Sequence, residues 1–153
     1  MPKITDISLF YQNEQPCIAV RETTSVAKLP QIIQESFGLL MQYMEQTGEL
    51  LAGMPYVCYN NMDMENLDVE IGFPVSKKLP DDGSVQASSI SAGKQVKCMY
   101  LGPYEAMEPL YHEMAAWIDK NGLKPSGKVY ELYYNGPECA PDLLLTEVIM
   151  PID

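Results

Sequence analysis

LLLTEVIMPI, residues 143–152, is the stretch whose reading decides the fold. Nine of its ten residues suit a buried strand, and the tenth, Glu147, is a carboxylate set among Leu143, Leu144, Leu145, Val148 and Ile149. Side chains alternate across a strand, so Thr146 and Val148 point one way and Leu145, Glu147 and Ile149 the other. An acid among apolar neighbours is costly to desolvate unless something pairs with it. One face should therefore pack on helices while the other carries the acid toward a partner, either a ligand or a lysine such as Lys94 or Lys97 from a neighbouring strand.

Working back from that strand, VYELYYN (129–135) reads as its hairpin partner across the turn GPECAPD (136–142). Upstream, a helix should begin within residues 102–109, because proline is tolerated only near a helix start. It runs to Lys120 with Leu110, Met114, Trp117 and Ile118 inward, and Asn121-Gly122 ends it. KQVKCMYL (94–101) supplies one more strand. The first half reads the same way. QPCIAVR (15–21) suggests a strand after a short alternating segment from Ile4 to Phe10. The segment 29–46 carries Ile33, Phe37, Leu40, Met41 and Met44 as one helical stripe, with Pro30 in the first turn and Gly48 as the closing cap. YVCYN (56–60) and DVEIGFPV (68–75) form a hairpin in which Val69, Ile71 and Phe73 share one face and Asp68, Glu70 and Gly72 the other. PDDGS (80–84) marks a turn between the halves.

The halves match in spacing. Tyr43 falls with Trp117, Gly48 with Gly122, Gly53 with Gly127, Tyr56 with Tyr130 and Tyr59 with Tyr133, each pair 74 residues apart. Beyond the hairpin turn the separation becomes 77, pairing Glu70 with Glu147 and Pro74 with Pro151. The expected fold is therefore α+β: a tandem, pseudo-twofold pair of strand-helix-strand-strand modules, about 4–78 and about 90–153, within one domain. Their antiparallel sheet would carry both helices on one face and a ligand groove on the other. Glu70 and Glu147 would flank that groove. Either Tyr130 and Tyr134, or Tyr133, shares a face with Glu147, and Tyr56 or Tyr59 attends Glu70; register decides which.

Composition excludes several functions. The chain of 153 residues is long enough to bury a core without a metal or disulfide. Its four cysteines lie about forty residues apart and His112 is its only histidine, which argues against a zinc site. A net charge of −11, with scattered Lys and Arg, disfavours direct nucleic-acid binding. No stretch approaches the roughly 20 apolar residues of a membrane helix or resembles a signal peptide, so the expected location is the cytoplasm, away from membranes. No catalytic triad or phosphate-cradling loop appears, and no cofactor is expected.

The run GPYEAMEPLYHEMAAWIDKNGLKPSGKVYELYYN followed by LLLTEVIMPI resembles the GyrI-like small-molecule-binding domain, also called the AraC-type effector-binding domain. Gly102-Pro103-Tyr104, Trp117, Asn121-Gly122, Tyr130 and Thr146-Glu147 through Pro151-Ile152 carry the likeness. The resemblance implies tandem strand-helix-strand-strand modules around a hydrophobic groove, and recognition of small molecules. In regulators of the family a buried glutamate on the last strand and several aromatics hold lipophilic cations; by motif position that glutamate resembles Glu147. No helix-turn-helix fits in the roughly 14 residues before the domain, which points to a standalone member. Standalone relatives include a gyrase-inhibiting protein and hydrolases of cyclopropane-containing toxins.

The expectation is non-enzymatic binding of amphipathic, cationic or aromatic molecules, with Glu147 and Glu70 as counter-charges. Tyr56, Tyr59, Tyr104, Tyr130, Tyr133, Tyr134, Trp117 and Met41 are the candidate walls, since aromatic faces attract cations and methionine adapts to varied shapes. Trp117 also fits a core stripe. A ring-opening hydrolase and a protein-binding inhibitor, with a transcription regulator or topoisomerase as partner, remain the alternatives.

Overall fold

The computed structural model describes residues 3–136 and 138–153. In chain order the elements are β1 (Ser8–Gln12), β2 (Gln15–Thr24), α1 (Leu29–Thr47), β3 (Tyr56–Tyr59), β4 (Leu67–Pro74), β5 (Gln86–Ile90), β6 (Gly93–Leu101), α2 (Glu108–Lys120), β7 (Val129–Tyr133) and β8 (Leu145–Pro151). Two helices and antiparallel strands make this an α+β fold. The residues fall into two compact units. One is Asn13–Ala92; in the other, the segment ending at Gln12 joins Gly93–Asp153.

In the unit Asn13–Ala92 the strands lie in the order β3-β4-β2-β5. Glu70 stands opposite Cys58 on one side and Arg21 on the other, and Tyr56 stands opposite Gly72. Residues directly opposite on antiparallel strands share a face. Val57, Val69, Ile71, Phe73, Ile18 and Val20 therefore form the other face, all at most 2% exposed. Helix α1 covers that face, setting Phe37 against Phe73 with ring centroids 5.5 Å apart. Pro30 sits in its first turn, and Gly48, at φ 71°, donates its N–H to the Met44 carbonyl. Met41 departs from the expected stripe. The buried line runs through Leu29, Ser36, Leu40, Tyr43 and Met44, whereas Met41 is 49% exposed. At 3.6 residues per turn it lies about 100° round from Leu40, outside the apolar arc.

In the other unit the order is β1-β6-β8-β7. Tyr100, Thr146 and Tyr133 lie in one row across β6, β8 and β7, while Met99, Glu147 and Leu132 lie in the next. The expected alternation in β8 holds: Thr146 and Val148 are fully buried on the helix-covered face. There Val148 joins Val96, Cys98 and Tyr100 of β6, Val129 of β7 and Leu110, Met114 and Ile118 of α2 in one core, with Trp117 packed at its margin. Strand β1 departs from the expectation that residues 4–10 open the first module, since Ser8 to Gln12 pair antiparallel with Lys97 to Gly93 of β6. The three-residue step from Gln12 to Gln15 crosses between units. Sequence alternation has no means of showing which strand a segment pairs with.

Candidate functional site

Glu147 is half-buried on the uncovered face of its unit. Met99 and Leu132 are its cross-strand neighbours, and Leu145 and Ile149 flank it along β8. The register selects Tyr130 and Tyr134 for this face and sends Tyr133 to the other. Tyr134 Oη donates to Glu147 Oε1 at 3.2 Å, and Tyr134 is 40% exposed. Burial, and then the neighbouring Glu147 charge, hold the Tyr134 hydroxyl above its usual pKa. Tyr130, opposite Ile149, is on the same face and 4% exposed. Neither lysine considered as a partner reaches the acid. Lys97 lies over the Phe10 ring, 4.4 Å from its centroid, and Lys94 is exposed on the opposite face. Among the described residues no Lys, Arg or His forms a salt bridge with Glu147 or Glu70.

Glu70 has a different environment. Tyr56 Oη donates to Oε2 and Ser88 Oγ to Oε1, both at 2.9 Å. Each carboxylate oxygen is held by a hydroxyl, so the charge is shared between neutral donors. Tyr56 is fully buried, and its ring lies over Gly72 so closely that a Cβ there would meet Oη at 2.4 Å. Burial first, then Cys17 and Glu70, push the Tyr56 hydroxyl far above its ordinary pKa. Burial likewise pushes the Cys17 thiol up to about 11. Arg21 meets Asp68 through two hydrogen bonds of 2.9 and 2.6 Å. Tyr59, opposite Val69, lies on the helix-covered face and does not attend Glu70.

A third acid, which the sequence reading missed, occupies the helix-covered face of the second unit. Glu131 is 8% exposed and stands opposite Val148. It accepts hydrogen bonds from Tyr133 Oη at 3.0 Å and from Tyr111 of α2. Tyr104 meets Tyr133 edge to face, with centroids 5.7 Å apart and planes at 74°. Burial, followed by the Glu131 charge, raises the Tyr104 hydroxyl. Three tyrosines thus gather about one buried carboxylate. The available signal was an acid alternating with aromatics in VYELYYN, its parity opposite to that of Glu147. Trp117 faces a shallow depression with Lys3, Asp6, Glu113 and Lys120 rather than any of the three acids. Met41 is exposed on α1.

No helix of the described residues is long and apolar enough to cross a membrane. Among curated proteins none matches this chain. Among solved structures, the chain is similar to the C-terminal domain of EcmrR, with 20% identity, 98% of each chain covered and a TM-score of 0.81. It is also similar to EcmrR in its complex with DNA, with 19% identity and a TM-score of 0.84; 97% of this chain covers 57% of that longer one. A hydrolase from Listeria innocua aligns over all of this chain and 94% of its own, with 16% identity and a TM-score of 0.74. SAV2435 bound to tetraphenylphosphonium aligns over 97% of this chain and 94% of its own, with 15% identity and a TM-score of 0.62. These likenesses concern the fold. The match of residues 5–153 to the model of the GyrI-like small molecule binding domain covers nearly the whole sequence, and the chain belongs to that family.

Proposed function

We propose that this chain binds amphipathic organic cations, with Glu131 as the principal counter-charge and Tyr104, Tyr111 and Tyr133 as its walls. The observation that carries the reading is the buried carboxylate held by tyrosine hydroxyls and bordered by aromatic rings. A cation entering there gains both charge attraction and ring faces, and burial strengthens both. Tyr104, 44% exposed, is the solvent-facing member of the cluster. That SAV2435 is seen with tetraphenylphosphonium supports the same ligand class.

A second placement is favoured by one observation: Glu147 is flanked by Met99, Leu132, Leu145 and Ile149 and, among the described residues, forms no salt bridge. Glu70, like Glu131, has both oxygens held by hydroxyls, here those of Tyr56 and Ser88. The duplication of a strand-helix-strand-strand module is part of this reading. Its support is register: Tyr56 opposite Gly72 and Tyr130 opposite Ile149 are related by the same shifts of 74 and 77 that relate the sequences.

The activity is binding without turnover, in the cytoplasm. With a net charge of −11, any regulatory output passes through a protein partner rather than direct contact with nucleic acid. The test is tetraphenylphosphonium binding to Glu131→Gln and Glu147→Gln. Losing a buried counter-charge costs about 2 kcal/mol or more, about 30-fold in affinity. Loss of that size in Glu131→Gln alone supports the first placement, and in Glu147→Gln alone the second. Retained affinity in both refutes the counter-charge reading, and recovery of a chemically altered ligand favours a hydrolase.

A further inference from the structure

Thr146 is fully buried, and among the described residues its Oγ1 has no hydrogen-bond partner. Its position is specific: it stands directly between Tyr100 and Tyr133 on the two neighbouring strands. Tyr100 is committed elsewhere, its hydroxyl donating to the Pro103 carbonyl at 2.8 Å. Tyr133 donates to Glu131 and borders Tyr104. The Thr146 hydroxyl is thus a buried polar group in the row that forms the wall of the tyrosine cluster. Leaving a hydroxyl unpaired in the core is unfavourable, and valine would fill nearly the same volume without that cost.

We infer that Thr146 is a specificity-determining residue, whose hydroxyl pairs with a hydrogen-bonding group carried by the ligand beside its positive charge. The inference rests on placing the cation at Glu131. It narrows the ligand class from any lipophilic cation to aromatic cations bearing an N–H or O–H group. A site that hydrogen-bonds a ligand group discriminates against analogues lacking it, because its own polar atom is then left unpaired.

Two triarylmethane dyes separate these classes: pararosaniline carries N–H on its aryl amines, and in crystal violet the amines are fully methylated. Both are titrated into the wild type, Thr146→Val, Thr146→Ser and Glu131→Gln. Loss of one neutral hydrogen bond corresponds to about a 3- to 10-fold change in affinity. Thr146→Val should weaken pararosaniline by that factor and leave crystal violet within about twofold, while Thr146→Ser keeps the pararosaniline affinity. The thermal midpoint of ligand-free Thr146→Val should equal or exceed that of the wild type. A fall in that midpoint would mean that the hydroxyl is satisfied within the protein, and equal losses for both dyes would mean a packing defect; either overturns the inference. Unchanged pararosaniline affinity in Thr146→Val overturns it as well. If Glu131→Gln leaves both dyes bound, the placement at Glu131 has failed, an outcome distinct from failure of the threonine's role.

Discussion

Gly72→Ala should be among the most damaging single-methyl additions to this chain. Its backbone is ordinary, so the effect is steric: the new Cβ would lie 2.4 Å from Tyr56 Oη, 2.5 Å from Cζ and 2.7 Å from Cε1. The ring cannot easily withdraw. Tyr56 is fully buried, and its hydroxyl is bonded to Glu70 at 2.9 Å. Overpacking a tight core costs about 1–3 kcal/mol, and breaking a hydrogen bond to a charged group adds about 1.5–3 kcal/mol. Alanine restricts the unfolded chain and returns roughly 0.4–1 kcal/mol. A net loss of about 1.5–5.5 kcal/mol remains, which for a chain of this size lowers the thermal midpoint by roughly 3–20 °C. Urea denaturation of Gly72→Ala, Tyr56→Leu and the double variant measures it. The double variant should be less destabilised than the two singles combined, because the smaller side chain makes room for the methyl. A Gly72→Ala loss below about 0.5 kcal/mol, or strict additivity, would refute the account of Tyr56 as clamped between Gly72 and Glu70.

Two other expectations concern the same unit. Burial places the Cys17 thiol at about 11, above its ordinary 9.0, so the folded state holds a proton that the unfolded chain gives up; this contribution is full below about pH 9 and lost as pH rises through about 11. Between pH 8 and 10 the wild type should lose about 1 kcal/mol more stability than Cys17→Ala, as measured by urea denaturation at each pH; equal losses would contradict the shift. Tyr43→Phe removes a 2.6 Å hydrogen bond to the Pro80 carbonyl and should cost about 1 kcal/mol. Its thermal midpoint checks this, and an unchanged value would mean that the bond is replaced by water at no cost.

The strands legible in sequence were those where burial differs between faces. In β8 the alternation of Thr146 and Val148 with Leu145, Glu147 and Ile149 set the faces before any register was known. Strand β5, QASSI, escaped because its residues are small and polar; it lies at the end of its unit's strand order, where no apolar period is required. That omission hid Ser88, and with it the reason Glu70 differs from Glu147. The tyrosines could be paired only as alternatives, since a one-residue slip exchanges Tyr133 with Tyr134. Glu131 was passed over for a related reason. Its alternation places it toward α2, where an acid is unexpected, and Tyr111 from that helix and Tyr133 at i+2 help make the position tenable. Trp117 fitted both a core stripe and a ligand wall in sequence, and its place at the edge of the core follows from α2 packing that no spacing encodes.

If a buried carboxylate, rather than apolar fit alone, selects the ligand, the sign of the ligand's charge decides its affinity. Tetraphenylphosphonium and tetraphenylborate share size and shape but carry opposite charges, so titrating both into the wild-type protein by calorimetry isolates the sign of charge. Preference for the cation by about 2 kcal/mol, about 30-fold in affinity, is the predicted result. Equal affinities, or tighter binding of the borate, would contradict it.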